Sequence, residues 1–173
     1  MKYLMIAAAL LTVTTAANGH AQSPRNSATA QDPSLDLSTP EKVAQALQGA
    51  GYKALLKKRD DGGAYIESAA SGSGFSIEFW CEGSECKSMQ FYTWYKKRDW
   101  FNTDFANRWN AKYRFVKVAI DADGDLSVYM DISLVGRMSS AHFGDILDWW
   151  SVMSDDVGTF IDDEETKRLK KPG

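Results

Sequence analysis

The chain has 173 residues, of which 44% are hydrophobic and 12% aromatic, with a formal net charge of −3. That is enough apolar material for one domain with a real core, and the lack of a basic excess excludes a nucleic-acid or anionic-membrane footprint. A zinc site would need more ligands than the two cysteines and the single histidine, His142, that lie beyond the first 21 residues.

In chain order, Lys2 supplies a positive start and Leu4 to Val13 a short apolar run. The run is too short to span a bilayer, so residues 1–21 read as a secretory signal peptide cleaved after Gly19-His20-Ala21. The alternative is an uncleaved N-terminal anchor. A lipoprotein anchor is not indicated, because no cysteine lies near the cleavage region. The expected destination is the periplasm or the exterior. Residues 22–37, rich in Ser, Ala, Gln, Asn and Pro, read as a disordered linker.

Ser38-Thr39-Pro40-Glu41 predicts a helix start, with Ser38 as the cap and Glu41 completing a capping box. Val43, Ala46 and Leu47 share one side of that helix, and Gly49 or Gly51 ends it. Residues 52–58 and 64–68 predict two antiparallel strands about a turn over 60–63, and Ser71-Gly72-Ser73-Gly74 a loop. That loop has the wrong glycine spacing, and no following helix, for a phosphate cradle.

Alternation of Phe75, Ile77 and Phe79 with polar residues predicts a strand to Cys81, and residues 86–95 its return. Cys81 and Cys86 flank the turn between them. Cysteines facing each other across a hairpin can reach bridging distance, so an exported chain should join them as a disulfide. Their spacing is too wide for a C-x-x-C redox motif.

Phe101, Phe105 and Trp109 recur every four residues and predict a helix whose aromatic stripe is core. Val116, Val118 and Ile120 alternate along one strand, and Leu126, Val128, Met130, Ile132 and Leu134 along another. Both sets share a face only if Ile120 opposes Leu126 and Val118 opposes Val128. That register leaves Ala122, Asp123 and Gly124 as a three-residue turn with Gly124 in the left-handed position. Asp121, Asp123 and Asp125 resemble the opening of a calcium loop, but the glycine is fourth rather than sixth and position twelve is Ile132, so a turn with solvated carboxylates is expected. A last helix capped by Ser139 or Ser140 buries Phe143, Ile146, Leu147, Trp150, Met153 and Val157 and ends near Ile161. Residues 162–173 read as a charged, solvated tail.

The expected order is α-β-β-β-β-α-β-β-α, an α+β domain over residues 38–161 with a mostly antiparallel sheet built from hairpins and helices packed on it. With Asn107-Arg108-Trp109-Asn110, Arg114-Phe115-Val116-Lys117, Asp121-x-Asp123-Gly124-Asp125-Leu126 and Met130-Asp131 in view, the chain resembles the YbjN-domain family of bacterial sensory transduction regulators. Cys86-Lys87-Ser88-Met89-Gln90-Phe91 and Asp148-Trp149-Trp150 resemble its exported branch. The resemblance implies a fold like that of type III secretion chaperones and no catalytic centre. The signal peptide and the segment from Trp94 to Trp100 depart from a cytoplasmic regulator's pattern.

No catalytic, metal or cofactor residues are assigned. The mature chain's histidine, His142, sits in a first helical turn with no serine elbow or cysteine partner, which suits capping or exposure. A non-catalytic periplasmic module that binds a protein or envelope partner fits better, with a homodimer as one arrangement, Trp94, Trp100 and Trp149 as candidate partner-binding residues on one face, and a sheet edge open to strand addition. The alternatives are a hydrolase-type enzyme using the acids of the 121–125 turn, or a purely structural envelope protein.

Overall fold

The structure, a computed structural model, describes residues 34–170. The expected signal peptide and most of the expected linker lie outside them. The elements run β1 (Ser34–Leu35), α1 (Pro40–Gly49), β2 (Leu55–Lys58), β3 (Ala64–Ala70), β4 (Ser73–Glu82), β5 (Glu85–Tyr95), α2 (Thr103–Lys112), β6 (Lys117–Ile120), β7 (Leu126–Ser133), β8 (Met138–Ser139) and α3 (Ser140–Leu169). A six-stranded sheet has the order β2-β3-β4-β5-β7-β6, antiparallel throughout. The domain is α+β, in the expected order, with β1 and β8 added as a separate short pair.

The β6–β7 register is the expected one, Ile120 opposite Leu126 and Val118 opposite Val128. Gly124 takes φ +84°, and a Cβ there would meet the Lys97 side chain at 3.0 Å. Residues 71–74 are not a loop. Ser71 and Gly72 both have positive φ and Ala70 pairs with Ser73, so a two-residue primed turn joins β3 to β4 and lengthens both. Strand β2, conversely, starts only at Leu55. Before it, the Tyr52 amide donates to the Leu47 carbonyl at 2.9 Å and the Gln48 side chain donates to the Ala54 carbonyl, which commits that backbone to α1.

The first helix is capped one residue later than expected. Thr39, not Ser38, accepts from the Lys42 amide, because Pro40 at the first helical position fixes the residue before it as the extended cap. Glu41 therefore falls too early for a capping box. Ser38 instead accepts from the Cys86 amide through its carbonyl, at 2.8 Å.

The helices cover one face of the sheet. Ile66, Phe75, Ile77, Met89, Phe91, Val128 and Met130 are buried there, and the Trp150 ring of α3 packs 5.6 Å from Phe75 and 5.5 Å from Phe91. The aromatic stripe of α2 is core: Phe105 and Trp109 are buried and meet Phe160 of α3 at 5.0 and 5.6 Å. Cys81 and Cys86 oppose each other and are joined by a disulfide. Trp80 pairs with Ser88, so Lys87 is an extra residue in β5. That bulge brings the even-numbered Cys86 to the face that Met89 and Phe91 occupy.

Helix α3 runs through most of the expected solvated tail, to Leu169. The reason is Glu164, which is buried and accepts from Arg108 of α2 at 2.8 Å and from Lys167 at 3.0 Å. Burial pushes the Glu164 carboxyl up, but the hydrogen bonds and charges of Lys167 and Arg108 outweigh it and hold the group below its ordinary 4.5. A lowered pKa in the folded state means the contribution is present above the unfolded value and is lost as pH falls through the folded one. Glu164→Gln is expected to lose about 1 kcal/mol at neutral pH, a difference that shrinks as pH falls through the folded value, read by urea unfolding across a pH series.

Candidate functional site: the uncovered sheet face

Period-two geometry sends every second side chain of the sheet away from the helices. One cross-strand row on that far side is Lys57, Tyr65, Glu78, Gln90 and Asp131; the next is Leu55, Glu67, Ser76, Tyr92, Tyr129 and Lys117. None of these residues is buried. Trp80 and Trp94 stand on the same side, 52% and 51% exposed. Half of each indole faces water on a surface that no helix among the described residues covers, which is the arrangement of an amphipathic ring awaiting a contact.

Polar side chains hold this surface in shape. Arg59 pairs with Glu78 and lies 4.8 Å over the Tyr65 ring. Gln90 donates to Asp131 at 2.7 Å, Ser76 to Glu78 at 2.9 Å, and the Tyr92 and Ser127 hydroxyls are 3.2 Å apart. Two hollows share Tyr92. One, of about 510 Å³, lies between Leu55 and Tyr65 on one side and Tyr92 and Trp94 on the other, over a floor of Ala69, Gly74 and Ser76. The other, of about 400 Å³, is bordered by Trp80, Tyr92, Gln90 and Arg59. The small floor residues make room that larger side chains would fill. Planar rings beside bonded amide and carboxylate groups suit recognition of an amphipathic partner.

The expected trio of tryptophans does not share one face. Trp94 lies on the uncovered sheet. Trp149 lies on α3, 39% exposed, its ring 4.7 Å from Phe115, whose φ of +61° is unusual for a bulky side chain. Trp100 is half-buried: its ring meets Phe101 at 4.7 Å and Phe105 at 5.2 Å, and the guanidinium groups of Arg98 and Arg168 lie 5.5 and 5.1 Å from its centre. Trp80 and Tyr92 are not among the expected contact residues. The signal was present, since both occupy the polar phase of strands whose other phase is Phe75, Ile77 and Phe79 or Met89 and Phe91.

Two of the three acids of the β6–β7 turn, Asp121 and Asp125, are engaged in building it through their carboxylates. The Asp121 carboxylate accepts from the Asp123 and Asp125 amides at 3.0 and 2.9 Å, and the Asp125 carboxylate accepts from the Lys97 amide at 2.7 Å. His142 is exposed, and its amide donates to the capping Ser139 hydroxyl. Among the described residues no helix is long and apolar enough to cross a membrane.

A family model with the description "Putative bacterial sensory transduction regulator" matches residues 39–163. The chain belongs to the YbjN family. The YbjN match takes in the whole six-stranded sheet, including Trp80, Tyr92 and Trp94, and stops one residue before Glu164. No protein of curated function and no solved structure matches the chain.

Proposed function

We propose that this YbjN protein is a non-catalytic periplasmic binding module that engages a protein or envelope partner, in a regulatory or chaperone-like role, through the uncovered face of its sheet. The observation that carries this reading is the pair of half-exposed tryptophans, Trp80 and Trp94, flanking two hollows on a surface that no helix among the described residues covers. Three further points support it. The family is described by regulation rather than by a reaction. Two of the three turn acids that an enzyme would draw on, Asp121 and Asp125, have their carboxylates spent on backbone amides. The Cys81–Cys86 bridge suits an oxidising compartment.

Co-purification after crosslinking in the periplasm tests the reading. Trp80→Ala with Trp94→Ala is expected to reduce partner recovery at least tenfold, as for anchor aromatics at a contact centre, with the melting temperature nearly unchanged. Undiminished recovery from the double variant would refute the assignment to this face. Turnover of a substrate abolished by Asp123→Asn or His142→Ala would refute the non-catalytic part.

A further inference from the structure

The two edges of the sheet are treated differently. At β6 the Asn110 side chain of α2 lies along the strand, its Nδ2 donating to the Val118 carbonyl at 2.9 Å and its Oδ1 accepting from the Val118 amide at 3.0 Å. Those are the bonds an incoming strand would make, so that edge is blocked at Val118. At β2 the Arg59 amide donates to the Gly63 carbonyl. Antiparallel alternation then points Leu55 and Lys57 at β3 and turns the N–H and C=O groups of Leu56 and Lys58 outward. Among the described residues no side chain bonds these outward groups. Gln48 reaches the preceding Ala54 carbonyl, and its cover stops there.

Charge says what the open edge would take. The segment from Lys53 to Arg59 holds Lys53, Lys57, Lys58 and Arg59 and no acid. Lys57 and Arg59 have carboxylate partners in Glu67 and Glu78; Lys58 feels the charge of Glu41 without forming an ion pair, and Lys53 has no ion-pair partner among the described residues. Leu55 and Leu56 are 41% and 38% exposed on opposite faces of the strand. Pairing with β2 of a second copy would set these cations against each other, which is unfavourable directly across a strand pair. A partner strand that alternates apolar and acidic side chains meets both the leucines and the lysines.

We propose that β2 is a strand-addition site for an extended acidic polypeptide segment, with the Leu56 and Lys58 backbone supplying the hydrogen bonds and Lys53 and Lys58 the charge selection. The proposal rests on the reading of the protein as a binding module and adds a second contact, separate from the tryptophan face.

The probe is a synthetic peptide alternating glutamate with valine, titrated into the mature protein, with a lysine–valine peptide as control. Wild type is expected to bind the glutamate peptide, more weakly as salt is raised. Leu56→Pro removes an outward N–H without touching the β3 ladder, a position where an edge strand tolerates proline, and is expected to weaken binding at least tenfold. A glutamate peptide N-methylated at alternate residues is expected to lose binding to wild type, and this arm does not depend on the variant's folding. Lys53→Glu with Lys58→Glu is expected to reverse the preference toward the lysine peptide.

No binding of the glutamate peptide, equal binding of both peptides, or full binding by the Leu56→Pro protein would overturn the proposal. A wild-type dimer that Leu56→Pro disrupts would also overturn it, by assigning the edge to a second copy. The Trp80→Ala, Trp94→Ala protein is expected to keep peptide binding within twofold. Loss of partner capture in that protein alone, with no peptide bound by wild type, would sink the edge and leave the face.

Discussion

Trp109→Ala is expected to destabilise the domain by about 3–5 kcal/mol, the largest effect of any single substitution considered. The side chain is fully buried. Its ring stacks 3.9 Å from Tyr113 and meets Phe160 of α3 edge-on at 5.6 Å. Its Nε1 donates to the Val116 carbonyl at 3.0 Å, just before β6 begins. Alanine would leave a cavity between α2 and α3 and a buried carbonyl without its donor, and the second loss adds to the first. Trp109→Phe separates the two, keeping most of the packing while removing the donor, and is expected to lose about 1–2 kcal/mol. Chemical denaturation followed by far-ultraviolet circular dichroism measures both. A loss below 1 kcal/mol for the alanine variant would contradict the packing described.

The disulfide comes next. Cys81 and Cys86 are separated by 5 residues, so the loop they close is short, and the unfolded chain loses little freedom through it. The expected cost of Cys81→Ser with Cys86→Ser is about 2 kcal/mol, well below what a long-loop bridge gives. Cys86 is almost fully buried, with the core residues Met89 and Phe91 on its face, whereas Cys81 is exposed. A serine at 86 therefore buries a hydroxyl where the sulfur was, and the Cys81→Ala, Cys86→Ala pair is expected to be milder. Reduction of the parent protein in denaturant should bring its midpoint down to the level of the alanine pair. A midpoint indifferent to reductant would show that the bridge contributes nothing to stability.

Much of this architecture can be read from residue patterns, for reasons that differ along the chain. The β6–β7 register is legible because a slip of one residue would put the Val118 set and the Val128 set on opposite faces and send one of them to solvent, so apolar alternation and turn length agree on one answer. The aromatic stripe of α2 is legible because four-residue spacing leaves it only one face. Glu164 escapes such reading, since an acidic run looks solvated until Arg108, 56 residues away in sequence, is placed beside it. Asn110 escapes it too. An asparagine inside a helix carries no local sign that it will block the edge of a strand.

The candidate site is half legible. Trp94 could be singled out as exposed from sequence, but grouping it with Trp100 and Trp149 required knowing which side the helices cover. Alternation says only that Trp80, Tyr92 and Trp94 occupy the phase opposite to Ile77, Met89 and Phe91. That the first phase is the open one follows from Phe75 and Phe91 meeting Trp150, a tertiary contact. Trp100 looked similar on composition, yet Arg98, Arg168 and Phe105 pack against it.

Photo-crosslinking from defined positions in the living envelope tests the central claim most directly. A photoreactive residue placed at Trp80 or Trp94, on the open sheet, should give a discrete adduct with a partner, while the same residue at Trp149 on the helical side should give none. Adducts from the Trp149 position with silence at Trp80 and Trp94 would contradict the account and move the binding surface to the other side of the molecule.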